Sequence, residues 1–311
     1  MCSSDLLRCG INQELAEYST SDDHGPRESF DQAFCQAVTI AILGPHAKVV
    51  TTYYPDDVTS AEALTAGRID LIPTHTLDMN HATAAGVTLS SPILYDGVGL
   101  LVPLDAHLAD ARALDNKKIC FLAETEVEEA LRAWFSRQHL RFVPFPFQEE
   151  GEMEAAFVTA NCAALAGDLT RLAATRVGFG PLASRYTLLP DVLSRDPLAS
   201  ATPSSDPQLA AIVYWTLEVL LNAEDVGITQ KTVASAITSV DPTIRILSGQ
   251  SGEIGSRLGL RNTWALEVLA ATGNYGEIFD RVLGQGSPLK LPRNQNRLAR
   301  DGGLLYPLPV K

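Results

Sequence analysis

No run of about 20 apolar residues occurs in the chain, so no segment of it reads as a helix that spans a bilayer. The first residues lack the charged and apolar regions of a secretion signal, which leaves the chain either cytosolic or a mature form. Basic residues are scarce: 24 Lys and Arg stand against 37 Asp and Glu, for a formal charge of -13. Nucleic acids and anionic membranes need a basic footprint, so the expected partners are small molecules or proteins, with no nucleic acid among them. The chain has no C-x-x-C pair, no G-x-G-x-x-G after a strand, no P-loop, no H-E-x-x-H and no G-x-S-x-G. Dinucleotide, phosphoryl, zinc and acyl chemistry therefore lack their usual sequence anchors. Internal repeats, low-complexity tracts and coiled-coil heptads are also missing.

What is present is a globular composition. With 311 residues, 46% hydrophobic and 20% charged, the chain can bury the core of one large or two ordinary domains. Hydrophobic periodicity predicts strands near 6 to 11, 48 to 54, 69 to 73, 92 to 102, 117 to 123, 141 to 147, 163 to 167 and 186 to 190. Helical patterns fall between them: Phe30, Phe34, Ala37, Val38 and Ala41 share one face, and Val127, Leu131 and Trp134 another. Alternating strands and helices predict an α/β fold with mostly parallel sheets. Beyond about residue 205 the pattern is helical with no clear strand. Pro-rich breaks at 92 to 103 and 197 to 207 bracket an inserted segment, which predicts lobe 1 over 1–101 and 196–311 and lobe 2 over 102–195. Two connections would then cross between the lobes, an arrangement suited to a hinge and a ligand cleft.

The stretch ICFLAETEVEEALRAWF, residues 119 to 135, reads as a buried strand, a loop and a helix start. Such a junction favours an incoming anion, yet this one carries Glu124, Glu126, Glu128 and Glu129. Glu124 and Glu126 with Asp168 have the composition of an acid/base set, but a solvated helix start is the simpler reading. Asp168 follows the apolar strand AALAG, so it either caps the next helix or meets a ligand at the strand edge. His75 and His81 with Asp78 between them have the residue types of a metal site. Polar residues on a loop are the preferred reading, because no third ligand is indicated and the spacing matches no known site; no metal site is expected. Cys9, Cys35, Cys120 and Cys162 lie on neighbouring predicted elements in two pairs, with Cys2 left over. Their spacing suits two disulfides and equally suits four buried thiols.

LRCGINQ, FCQAV, LYDGVGLLV, the cysteine of NCAAL, WTLEVLLNAEDVGIT, and above all GNYGEIFDR followed by GSPLK and GGLLYPLP form a recognisable set. From about Leu6 to Pro309 the chain resembles the general L-amino-acid-binding receptors of bacterial ABC importers, within the polar-amino-acid solute-binding family. The resemblance implies a two-lobed periplasmic Venus-flytrap fold of type II with a helical C-terminal extension on lobe 1. It also implies a mature periplasmic chain, disulfides Cys9–Cys35 and Cys120–Cys162, no cofactor, no catalysis, and the membrane subunits of an importer as partners of a monomer. A lipid anchor on Cys2 is compatible with it. Carried over residue by residue, the ammonium-binding aspartate falls on Asp168 and the first threonine of a carboxylate-binding G-T-T segment on Thr125. Thr76 matches a loop threonine and Tyr18 a cleft aromatic. The family's carboxylate-clamping arginine falls on His81, and the residues flanking Thr125 are Glu124 and Glu126 in place of glycine and threonine. Histidine is a weaker and pH-dependent substitute for a planar guanidinium, so the expected solute departs from ordinary L-amino acids toward an amine or other cation. The alternatives are a receptor that has lost its solute or serves a sensor, and, more weakly, a dehydratase-like enzyme on the same fold.

Overall fold

The computed structural model describes residues 6–12, 21–22, 25–26 and 28–310. Tyr18 and Cys2 lie outside the described residues. The chain divides into two compact units: Met1–Tyr95, Pro197–Ser287 and Pro292–Lys311 form the first, and Asp96–Asp196 with Pro288–Leu291 the second. Pro288–Leu291 corrects the expectation of only two connections. The carbonyl of Leu289 accepts a hydrogen bond from the Arg176 guanidinium, which ties this short segment into the second unit.

In the first unit, strand Arg8–Asn12 pairs in parallel with Val50–Tyr54, and Cys9 bridges in parallel to Leu71. The helix Phe30–Leu43 opens on a capping box of Ser29 and Gln32 and buries Phe34, Ala37, Val38 and Ala41, the stripe expected from its spacing. Cys35 on this helix is bonded to Cys9 on the strand, with Cα atoms 6.4 Å apart. A second sheet places Asp196–Pro203 between Ile72–Thr76 and Val87–Asp96. That central strand, DPLASATP, reads in sequence as a Pro-rich break; its prolines sit at or next to its ends, and Leu198, Ala199 and Ala201 between them are buried. Pro207–Asp225, Trp264–Thr272 and Tyr275–Val282 supply the expected C-terminal helices.

The GNYGEIFDR block has a structural explanation. Asn274 and Glu277 form a capping box, Tyr275 is buried and donates to the Ile93 carbonyl (2.9 Å), and Arg293, paired with Glu224, covers the Tyr275 and Phe279 rings.

In the second unit a five-stranded sheet runs in the order Tyr186–Leu188, Val98–Pro103, Ala164–Asp168, Lys118–Leu122, Val143–Phe147. The last three strands are parallel and the first two pairings antiparallel, so the sheet is mixed where a mostly parallel one was expected. The predicted strand over 92–102 is in fact two strands separated at Gly97, whose own conformation has φ +156°. A Cβ there would lie 2.9 Å from the Ser194 carbonyl oxygen, so only glycine lets the backbone pass. The helix Glu126–Arg137 buries Val127, Leu131, Trp134 and Phe135, and Cys120 is joined to Cys162 with Cα atoms 5.8 Å apart.

Candidate functional site

Side chains that carry chemistry collect where strands end. In the first unit the parallel strands deliver Asn12 from Arg8–Asn12 and Asp57 just beyond Val50–Tyr54, and Ile72–Thr76 delivers Thr76. This carboxyl edge is where ligands meet open α/β sheets. Asp57 joins the three: its Oδ1 accepts from Asn12 Nδ2 (2.9 Å) and its Oδ2 from the Thr76 backbone N–H (3.0 Å). His75 points into the same place from the middle of its strand. Its ring is 2% exposed, and its Nδ1 lies 3.2 Å from Asp57 Oδ1 without a hydrogen-bond partner. Burial opposes the charge on Asp57, but the His75 ring and the Thr76 contacts outweigh it and hold the carboxyl well below the usual range.

Beyond the strand, Asp78 caps the short helix Met79–Ala82 and accepts from both the backbone N–H and the ring Nδ1 of His81, each at 2.8 Å. The His81 ring stands edge-on to His75, with centroids 5.1 Å apart and planes at 90°. One donor atom from each of Asp57, His75 and His81 lies within 4.8 Å of the others. Asp57 therefore corrects the expectation that the two histidines have no third companion. Sequence reasoning passed over Asp57 and Asn12, although the strand-end argument applied to Asp168 reaches both of them.

In the second unit, parallel pairing of Ala164–Asp168 with Lys118–Leu122 sets Asp168 and the segment Glu124–Glu126 at one sheet edge. Glu124, Thr125 and Glu126 are exposed. Glu124 has φ +61°, the left-handed region that favours glycine, so the backbone keeps a glycine-like turn with an acid in it. Thr125 occupies the cap position, but its hydroxyl donates back to the Leu122 carbonyl (2.8 Å) and makes no capping bond. The first turn carries Glu126, Glu128 and Glu129, which match the positive helix end without a ligand.

Asp168 occupies the cap position of Leu169–Gly178, and its side chain makes no capping hydrogen bond. Of the two sequence readings of Asp168, side-chain capping is the one that fails. Behind it, Asp96 is buried, accepts from the Gly97 N–H (2.8 Å) and takes the Thr170 hydroxyl on its other oxygen. Burial, reinforced by the Asp168 charge and opposed by these hydrogen bonds, pushes the Asp96 carboxyl up to about 7. The strand-end acids of this unit are thus an exposed Asp168 and a buried partner that responds to it.

No protein-family model matches the chain. Individual proteins do. Over 98% of its length the chain is 35% identical to the general L-amino acid-binding periplasmic protein AapJ of Rhizobium johnstonii, covering 90% of that protein. It is 31% identical, with the same two coverages, to the glutamate/glutamine/aspartate/asparagine-binding protein BztA of Rhodobacter capsulatus. Among solved structures, an ABC transporter periplasmic binding protein from Brucella ovis with glutathione bound superposes with a TM-score of 0.80 at 31% identity, covering 99% of this chain and 97% of that one. Among the described residues no helix is long and apolar enough to cross a membrane.

Proposed function

The chain belongs to the amino-acid-binding periplasmic proteins of ABC transporters, and from that premise we propose that it is the periplasmic receptor of an importer for a small polar solute carrying an amine. The fold is the two-lobed one of periplasmic binding proteins. The observation that carries the proposal is Asp168: an exposed carboxylate at a strand's carboxyl edge that makes no capping hydrogen bond to the helix it precedes. An ammonium group is the complement of such a carboxylate. Glu124 and Glu126 at the same edge strengthen the local attraction for cations and weaken it for free carboxylates. Thr76 and His81 are candidates for contacts to the remainder of the solute. The receptor works by binding and release without catalysis, and its partners are the importer's membrane subunits. Differential affinity of the solute for one conformation would bias the state those subunits recognise.

A melting screen of the purified chain against polyamines, amino alcohols, the common L-amino acids and glutathione tests the reading. A solute at 100 times its dissociation constant stabilises the folded state by about 2.7 kcal/mol, enough to move the transition visibly. The expected result is a shift with an amine that Asp168→Asn removes. Tight binding of acidic or neutral L-amino acids that Asp168→Asn leaves untouched would refute it.

A further inference from the structure

We propose that Asp57, His75 and His81 form a binding site for a divalent transition metal of the zinc class. The three donors are two imidazoles and one carboxylate, a set that suits zinc and its neighbours and leaves coordination positions open to water or to a donor atom of a solute. All three belong to the first unit, and the site shares only His81 with the solute reading above, whose main residue, Asp168, lies in the second unit.

Geometry supports it in three ways. The separation of 3.2 Å between His75 Nδ1 and Asp57 Oδ1 is close to the distance of about 3.3 Å between two ligand atoms on one tetrahedral zinc, given metal–ligand bonds of about 2.0 Å. That nitrogen is buried, and its approach to the Asp57 carboxylate falls outside hydrogen-bond geometry, so a cation seated between the two would ligate both. The outer contacts are those a metal site uses. Asp78 takes the Nδ1–H of His81, which leaves Nε2 with its lone pair, while Asn12 and the Thr76 N–H hold the Asp57 carboxylate in place. One donor atom of each residue lies within 4.8 Å of the others, so the longest of these separations would need a closure of about 1.5 Å on a metal. His81, one-third exposed on the four-residue helix Met79–Ala82, is the ligand free to make it.

The test is titration of zinc, and separately cobalt, into the full-length, tag-free chain carrying Cys2→Ser, which removes the thiol outside the cluster as a competing ligand. Isothermal calorimetry should give one zinc per chain, and cobalt should show the intense visible bands of a four-coordinate ion. His81→Ala and His75→Ala should each abolish the stoichiometric site, while Asp78→Asn should weaken it by about 10- to 100-fold by releasing the ring of His81. His46→Ala, a histidine outside the cluster, should change nothing. His81 is partly exposed, so its removal leaves the core intact, and a circular dichroism melt in EDTA confirms folding of every variant. Absence of stoichiometric zinc binding, or binding that survives both histidine substitutions, overturns the proposal.

Discussion

Replacing Asp96 with Asn should remove one of two comparable contributions, those of Asp96 and Asp31, to the pH dependence of stability between pH 5 and 8. An unfolded aspartate ionises near 3.8, whereas burial pushes Asp96 up to about 7 in the folded chain. The folded state therefore holds a proton that the unfolded state has already released. The favourable contribution of this group is complete below pH 4 and is lost as pH rises toward and through 7. At about 1.4 kcal/mol per pH unit of difference, the full swing is about 4 kcal/mol, of which about 2.5 kcal/mol falls between pH 5 and pH 8. Asn keeps one acceptor oxygen for the Gly97 and Thr170 N–H groups and removes the titrating proton, so the difference in slope with pH, rather than the absolute stability, reads the Asp96 titration. Asp31, whose carboxyl burial likewise raises to about 7, titrates in both proteins and cancels in the difference. Urea denaturation at pH 5 and pH 8, followed by circular dichroism, should show the parent weakening relative to Asp96→Asn by about that amount. Parallel pH profiles for the two proteins would refute the account of Asp96 as a proton-holding buried acid.

Two further outcomes are expected. Alkylation of unreduced, denatured protein should leave Cys9, Cys35, Cys120 and Cys162 unlabelled, and double Ser replacement should cost about 3.5 kcal/mol for the 26-residue closure and about 4 kcal/mol for the 42-residue one, measured by denaturation. Glu124→Gly should stabilise the chain by about 0.5 to 1 kcal/mol, because relief of the left-handed strain exceeds the added freedom of the unfolded glycine; a loss of stability would show that the acid makes a contact worth more than the strain.

The elements were legible wherever one face of a helix or strand carried the burial. Phe34, Ala37, Val38 and Ala41 gave the first helix, and Val127, Leu131 and Trp134 the helix after the acidic turn. Strand Asp196–Pro203 was not legible, because its small and proline residues acquire strand geometry from the neighbours on both sides rather than from their own preference. The break at Gly97 was hidden for a related reason: the crowding that demands glycine comes from Ser194, nearly a hundred positions away. Family resemblance and the strand-end position of Asp168 pointed to one part of the candidate site. The grouping of Asp57 with His75 and His81 depends on three strands ending side by side, which no local spacing records.

The segment by which this chain is most readily classified is Gly273–Arg281, and its work is to close a helix end and seat Tyr275 against the Ile93 carbonyl. Substituting there would disturb a long-range clamp, whereas Glu124, Thr125 and Glu126 sit exposed at a strand-to-helix turn, where a change of side chain disturbs little else. A side chain at such an exposed end can be exchanged without loosening the clamp, so the part of the molecule that identifies it and the part open to a solute are mechanically separate.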